Sequence, residues 1–198
     1  RAPAAQQVSG GEIARRLRQA LEQAGPALRD DGLSQPEPGA RVVTADYELP
    51  FLAHVCMEPM NCTASVTAQG CTLWVGTQAP EGARTLAAQL TGLPLERVVV
   101  HVTQLGGGFG RRAAQDFVRD AVEVAIRVGR PVQVMWTRED DLAHGEYREA
   151  SAHRMQAQLD DAGQIRGWQH RIACAAPPGH RPGSLSSLGG MGALDQPY

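Results

Sequence analysis

A glycine-rich segment, residues 104–112, contains the residues of this chain best suited to bind an anion. Four of five consecutive residues are glycines and two arginines follow them: Gly106, Gly107, Gly108, Gly110, Arg111 and Arg112. Glycine tolerates positive φ, so successive main-chain N–H groups can turn inward into a concave nest that a ligand approaches closely. The arginines add positive charge and planar donors that suit phosphate. The segment therefore predicts a site for an anionic group.

A strand and a helix are predicted on the two sides of this segment. The apolar, β-branched run at 97–102 is typical of a buried strand. Residues 113–128 predict a helix whose N-terminus would add a partial positive charge to the site. The side chains expected to be buried on this helix are Phe117, Ala121, Val124, Ala125 and Val128. Neither a Walker A lysine nor the Gly-x-Gly-x-x-Gly spacing of dinucleotide-binding loops fits these glycines. A tight strand-to-helix turn without a ligand is the alternative interpretation.

Gln78 is the second candidate for contact with a ligand. Strand 71–77, helix 81–90 and strand 98–102 predict a β-α-β unit. A right-handed crossover brings the carboxyl ends of its two strands to one edge of the sheet, where open α/β sheets place ligands. We therefore expect Gln78 beside the glycine segment, where its amide can both donate and accept. An ordinary helix-capping amide is the alternative.

Other chemistry-bearing residues have less specific patterns. Glu58 is a lone carboxylate among methionines and cysteines, and the simplest interpretation is a buried acid that accepts main-chain N–H bonds. The four cysteines lack zinc or iron–sulfur spacing. Buried free thiols are favoured over a pair between Cys56 and Cys62. All 19 cationic side chains are arginine, which excludes a Schiff-base or Walker lysine within this chain.

The rest of the chain predicts a small globular protein. A net charge of −2 and a 42% hydrophobic content suggest neither disorder nor a polyanionic partner. Ser9 is the predicted N-cap of a first helix. The further elements predicted are a helix at 9–24, a linker at 26–40, a strand at 42–49 with one buried face, a strand at 132–136, a hairpin of 151–159 with 164–174, and a loop at 175–198. The domain division expected is 1–40 (helix and linker), 41–174 (main domain) and 175–198 (loop).

Three motifs together resemble one enzyme family. Residues 57–64, 77–80 and 106–112 are similar, in sequence and order, to the molybdopterin-binding large subunit of the xanthine dehydrogenase and aldehyde oxidase family. The resemblance covers about residues 42–172 and is closest to the isoquinoline 1-oxidoreductase β-subunit, or membrane-bound aldehyde dehydrogenase, branch. It implies an α+β fold of two-layer modules with mixed β-sheet and helices on one face.

The resemblance also implies a chemistry. Members hold molybdenum on a pterin, in bacteria usually the cytosine dinucleotide form, and hydroxylate an aldehyde or N-heteroaromatic carbon with oxygen from water. By the family pattern, Gln78 would hydrogen-bond an oxo ligand of the metal. The loop would cradle the cofactor through its main chain, with these residues: Gly106, Gly107, Gly108, Phe109, Gly110 and Arg111. No protein side chain ligates the metal in this family.

Two departures from the family pattern qualify this expectation. Xanthine-type enzymes carry a substrate-binding glutamate shortly after the glycines, where this chain has Ala113 and Ala114, so a purine substrate is disfavoured. The catalytic glutamate of the family lies near the C-terminus of a much longer subunit. This chain looks like a fragment without that region, so we expect it to be inactive alone.

The resemblance implies partners as well. These are a small subunit with two [2Fe-2S] clusters, a c-type cytochrome as electron acceptor in this branch, and a small-molecule substrate. The charge and the apolar runs of the sequence predict neither a nucleic-acid partner nor a membrane span. A periplasmic or membrane-associated location is favoured over a cytoplasmic one. Two rival functions remain at this point: a cofactor-carrier or assembly module without turnover, and a nucleotide-dependent enzyme that uses the same glycines.

Overall fold

The computed structural model describes residues 9–23, 25, 29–31 and 38–175. Residues 176–198 of the loop predicted at 175–198, and most of the predicted linker, lie outside the described residues. In chain order the elements are α1 (Gly10–Leu21), β1 (Arg41–Leu49), β2 (Leu52–Ala53), β3 (Asn61–Val66), β4 (Cys71–Val75), α2 (Pro80–Thr91), β5 (Val98–Val102), α3 (Asp116–Val128), β6 (Val132–Met135), α4 (Arg138–His144), β7 (Tyr147–Arg148), β8 (Ser151–Leu159) and β9 (Ile165–Cys174).

These elements form two compact units. One unit, called the central unit because it comes from the middle of the chain, comprises Ala53–Tyr147. The other, called the outer unit because it combines the two flanking stretches of the chain, comprises the described residues up to Leu52 and residues 148–175. The outer unit is discontinuous because β1 pairs with β8 over their whole lengths, although about a hundred residues separate them. The three segments predicted from the sequence therefore do not coincide with the compact units. Among the described residues, no helix is both long and apolar enough to cross a bilayer.

The central unit is a mixed four-stranded sheet with helices on one face. Its strand order is β5-β4-β3-β6, with β4 and β5 parallel and the other neighbours antiparallel. Helices α2 and α3 pack against each other and against this sheet. Their buried side chains form one core with the strands, which includes Leu73, Val75, Leu86, Phe117 and Val122. The two-layer α+β fold and the parallel β-α-β unit expected from the sequence are both confirmed.

Two expectations about the strand and helix around the glycines are wrong. β5 lies at the edge of the sheet, so Val99 and Val102 are about half exposed, and the strand is not fully buried. The helix begins at Asp116, not at residue 113, because a 3-10 turn at Arg111–Ala113 intervenes and Ala114 is extended. The helix therefore does not begin directly after the glycine segment, because the 3-10 turn and Ala114 separate the two.

Helix α3 also buries a different set of side chains from the set predicted. Phe117, Ala121 and Ala125 are buried as expected, whereas Val124 and Val128 are about half exposed. Val118 and Val122 are buried in their place. The buried face of the helix is shifted because α3 packs against α2 as well as against strands β3 and β6 of the sheet. Its apolar side chains must therefore cover both a helix and the sheet.

The outer unit is a three-stranded antiparallel sheet, β1-β8-β9, covered by α1. Ser9 caps α1 by accepting the N–H of Glu12, as predicted. Leu17 and Leu21 of the helix pack against Ala150 and Ala152. The predicted hairpin is confirmed, with β8 and β9 in antiparallel register.

The expectation of a buried face on β1 is wrong. Val43, Tyr47 and Leu49 share a face, yet all are about half exposed. Tyr47 pairs with His153, and side chains alternate along β8, so this face is opposite to the one on which Ala152 meets α1. The helix lies instead on the face with the charged residues of β1.

Candidate cofactor-binding site

The glycine loop, residues 104–110, leaves the end of β5 with an unusual main-chain course. Three of its residues have positive φ: Gly107 at 101°, Phe109 at 53° and Gly110 at 93°. Glycine adopts such angles without strain, and a phenylalanine rarely does. The Phe109 ring lies over Gly107, where an added Cβ would be 2.9 Å from the ring. The ring is otherwise 66% exposed, so an aromatic face is presented to solvent at the loop tip.

Three successive carbonyl groups of the loop are held from inside the protein. The contacts are Glu58 N to Gly106 O (3.1 Å), Arg112 Nε to Gly107 O (2.9 Å), and Arg111 N to Gly108 O (2.8 Å). The thiol of Cys56 also donates to the Gly108 carbonyl, at 3.5 Å. The carbonyl side of each peptide plane is therefore fixed against the protein.

The amide groups that share these peptide planes point the other way. In a trans peptide the N–H of the next residue is opposite to the carbonyl. The N–H groups of Gly107, Gly108 and Phe109 are therefore directed away from the protein side of the loop. Within the described residues, none of these three donors has a hydrogen-bond partner. Three consecutive unpaired amides form a nest for an acceptor-rich or anionic group.

Gln78 lies beside this nest, as the sequence predicted. Its side-chain oxygen accepts the N–H of Gly110 at 3.0 Å, and its main-chain N–H donates to the Arg112 carbonyl at 3.1 Å. Because the oxygen is occupied, the exposed amide offers its Nε2 hydrogens to a ligand. A Cβ on Gly108 would lie 2.5 Å from the Gln78 oxygen, so a glycine is required for this approach.

Neither arginine presents its guanidinium group to the nest, which corrects the expectation of phosphate-facing side chains. Arg111 is 2% exposed and Arg112 is fully buried. Arg111 makes a two-pronged ion pair with Asp116 at 2.7 and 2.8 Å, and its guanidinium carbon lies 5.4 Å from the centre of the Trp136 ring. Asp141 is 3.6 Å from its Nε. The side chain of Arg111 thus anchors the loop, and cofactor contact by this residue stays a prediction.

Glu58 has the role that its simplest interpretation predicts. One carboxylate oxygen accepts the Gly106 N–H at 2.7 Å, and Asn61 donates to the other at 2.8 Å. Burial acts to raise the pKa of Glu58. The hydrogen bonds from Gly106 and Asn61 and the charge of Arg112 outweigh it, so the pKa is lowered overall. The carboxylate is therefore ionised at neutral pH.

Sequence reasoning missed the link between Glu58 and Arg112. The two lie 54 positions apart, and their charged atoms are 2.9 Å apart. Neither Glu58, which precedes a proline, nor Arg112, which follows the glycines, lies in a sequence pattern that predicts an ion pair between them. The cysteine interpretation fits the structure: all four thiols are free, and Cys56, Cys62 and Cys71 are buried.

These features fit a group such as the pterin cofactor. The nest offers main-chain donors without a bulky side chain, and Gln78 adds side-chain donors beside them. Its acceptors are turned inward, so a ligand rich in carbonyl, ring-nitrogen or phosphate acceptors matches the exposed donors. Among the described residues, no group of three or more His, Cys, Asp or Glu side chains could hold a metal ion directly.

Comparison with known proteins agrees with this description. The family model for the molybdopterin cofactor-binding domain matches residues 33–198. The isoquinoline 1-oxidoreductase subunit beta of Brevundimonas diminuta is 32% identical over 138 residues, which cover 69% of this chain and 18% of that protein. The aldehyde oxidoreductase molybdenum-binding subunit PaoC of Escherichia coli K12 is 31% identical over 144 residues, covering 71% of this chain and 19% of that subunit.

A solved structure shows the same fold. The aldehyde oxidoreductase of Desulfovibrio desulfuricans superposes with a TM-score of 0.60 at 18% identity, over 70% of this chain and 16% of that one. This chain thus spans about a fifth of the length of the relatives it matches. With the family model covering most of its length, the chain belongs to the molybdopterin cofactor-binding domain family of xanthine oxidase-type oxidoreductases.

Proposed function

We propose that this chain supplies a cofactor-binding part of a molybdenum hydroxylase, with molybdopterin cytosine dinucleotide as the cofactor. The observation that carries the proposal is the row of three main-chain amides at Gly107, Gly108 and Phe109, which have no hydrogen-bond partner in the described part of the chain and lie beside the exposed amide of Gln78. A family-level match alone does not distinguish a binding loop from a plain turn. A loop with three successive carbonyls held inward and these amides directed outward is organised to bind acceptors.

Each residue then has a defined task. The amides of Gly107, Gly108 and Phe109 would donate to acceptor atoms of the cofactor, and Gly106 and Gly110 hold the ends of the nest. Gln78 would donate its Nε2 hydrogens to an oxygen of the bound group. The cofactor, when bound, supplies the two-electron oxidation of the substrate carbon, with the new oxygen taken from water. Phe109 would place an apolar ring at the entrance, which favours uncharged substrates.

The substrate we propose is an aldehyde or an N-heteroaromatic compound. The relatives support these two classes, since one is named for isoquinoline and another for aldehydes. Turnover would need residues outside this chain, in keeping with the fifth of the relatives' length that it spans. This chain alone is therefore proposed to be inactive.

The proposed partners accept the electrons. They are a small subunit with two [2Fe-2S] clusters and a c-type cytochrome, in a periplasmic or membrane-associated complex. The support is the resemblance to the isoquinoline 1-oxidoreductase and membrane-bound aldehyde dehydrogenase branch. Pull-down of the tagged full-length protein from its source, followed by iron and haem determination, tests this assembly.

The decisive experiment uses the full-length polypeptide that contains this chain, purified from its source with its partners. Molybdenum per polypeptide and the nucleotide released by acid hydrolysis are measured together. Near-stoichiometric molybdenum with CMP is the expected result. Pterin without turnover on aldehydes or N-heterocycles would indicate a carrier or assembly role instead. Absence of both molybdenum and pterin, in a host that makes the cofactor, would refute the proposal.

A further inference from the structure

We propose that Glu58 and Arg112 act as a pair of positioning residues that hold the glycine loop in its cofactor-binding course. Neither side chain reaches the open side of the nest. Both act on the main chain of Gly106 and Gly107, on the protein side of the loop. This inference rests on the proposed function, because it assigns these residues a role toward the same site.

Arg112 joins three segments of the central unit through one guanidinium group. Its Nε donates to the carbonyl of Gly107 at 2.9 Å, and its Nη1 donates to that of Gly76 at 3.1 Å. Its Nη2 donates to the Glu58 carbonyl at 2.9 Å. The loop, the end of β4 and the segment before β3 thus meet on a single fully buried side chain.

Glu58 holds the loop from the neighbouring peptide. Its main-chain N–H donates to the Gly106 carbonyl, and its carboxylate accepts the Gly106 N–H. The approach is close, since a Cβ on Gly106 would be 2.6 Å from the Cβ of Glu58. The same carboxylate oxygen is 2.9 Å from Nη2 of Arg112. Glu58 and Arg112 together therefore hold the N–H and carbonyl of Gly106 and the carbonyl of Gly107, where the nest begins.

The geometry of this pair sets the direction of the nest donors. The peptide between Gly107 and Gly108 has its carbonyl on Arg112, so its N–H must point to the open side. A rotation of that peptide would break the Arg112 bond and turn the Gly108 N–H away from a ligand. A lysine cannot replace Arg112 in this position, because it lacks the planar fork that reaches several carbonyls at once.

The test compares matched substitutions in the full-length protein purified with its partners. Glu58→Gln and Arg112→Lys alter the pair. Glu123→Gln and Arg119→Lys make the same chemical changes in an exposed pair on α3, whose charged atoms are 3.8 Å apart. Two quantities are measured: the rate of molybdenum loss from the loaded protein, and hydrogen exchange of the loop amides in cofactor-free protein.

If the pair positions the loop, Glu58→Gln and Arg112→Lys lose molybdenum at least about fivefold faster than their controls. In cofactor-free Glu58→Gln, exchange at Gly106 rises while exchange in β4 and α3 does not. Equal molybdenum retention in test and control variants would overturn the inference, as would a rise in exchange spread over the whole central unit. Should Arg112→Lys fail to fold, Glu58→Gln, whose side chain is one-third exposed, decides the result.

Failure of this inference can be told apart from failure of the proposed function. If the unaltered protein contains no molybdenum, the proposed function fails, and the exchange experiment still shows whether the pair holds the loop. If the unaltered protein is loaded and the two variants retain the cofactor like their controls, only the positioning role is lost.

Discussion

The side-chain oxygen of Gln78 lies 3.0 Å from the amide nitrogen of Gly110, so the end of β4 and the loop after β5 form one site. The contact occupies the oxygen of Gln78 and orients its Nε2 group. The bond to Gly110 also explains the glycine at position 108, over which the side chain passes. The positions of the Gln78 side chain and of the loop therefore depend on each other, and we expect a substitution in either one to displace the other.

Gly108→Ala should impair cofactor binding more than folding. The added methyl group meets the side-chain oxygen of Gln78, at 2.5 Å, and a flexible exposed side chain can move away. Gln78 would then leave Gly110, and the amide nest would lose a neighbouring donor. We expect a clear loss of bound molybdenum with little change in the thermal unfolding midpoint of the full-length protein.

Gly106→Ala is the matched comparison and should impair folding. Its methyl group would meet the Cβ of Glu58 at 2.6 Å and the Glu58 main-chain nitrogen at 3.3 Å, neither of which can move freely. Overpacking of this kind costs about 1–3 kcal/mol. A lower unfolding midpoint for Gly106→Ala than for Gly108→Ala is expected. The reverse order would show that the contact with Gln78 is the more rigid one.

Gln78→Glu separates the two functions of this side chain. A glutamate keeps an oxygen that can accept the Gly110 N–H, but it has no Nε2 hydrogens to donate. Removal of one such donor from an active site reduces turnover by about 10²-fold or more in other enzymes. We expect a loss of that order in the loaded enzyme, with the unfolding midpoint unchanged. Turnover within twofold of the unaltered enzyme would exclude a donor role for Gln78.

The sequence was sufficient to predict that Gln78 meets the loop, because parallel pairing of two strands across one helix follows from local patterns. It was not sufficient to predict the side-chain directions of Arg111 and Arg112. A charged residue after glycines looks exposed unless its partners are known. Arg111 pairs with Asp116, five residues later in the chain, and Arg112 pairs with Glu58, on another segment of the fold.

The expected burial of one face of β1 illustrates a second limit of prediction from sequence. Alternation correctly placed Val43, Ala45, Tyr47 and Leu49 on one side of the strand, yet alternation does not say which face receives a helix. Ion pairs favour the other side: Arg18 of α1 pairs with Glu48 at 2.8 Å. Helix α1 thus packs on the face of the sheet that carries Ala152 and the charged side chains of β1. The larger apolar side chains on the opposite face of β1 stay exposed.

Asp116→Asn should weaken the anchor of Arg111. Loss of one partner from a buried ion pair typically costs 3–5 kcal/mol because the other charge stays buried. Asp116 is 30% exposed and Asp141 lies nearby, so we expect about 2 kcal/mol. Native-state hydrogen exchange of α3 amides measures this local free energy. Glu123→Gln, in an exposed pair on the same helix, should change it by less than about 0.5 kcal/mol.

His170 should make the outer unit less stable in mild acid. Its Nε2 lies 3.0 Å from Nδ1 of His153, and burial together with the charge of His153 lowers the pKa of His170. The unfolded chain, with a histidine pKa of about 6.5, then binds more protons than the folded one. The contribution of His170 to the free energy of unfolding is complete above about pH 6.5 and is lost as the pH falls from there toward the lowered pKa of the folded protein.

Hydrogen exchange of the β8 and β9 amides, corrected for intrinsic rates, should therefore become faster as the pH is lowered from 7.5 to 5.5. His170→Gln should flatten this dependence, and His101→Gln in the central unit should leave it intact. An unchanged slope in His170→Gln would assign the acid sensitivity to other groups.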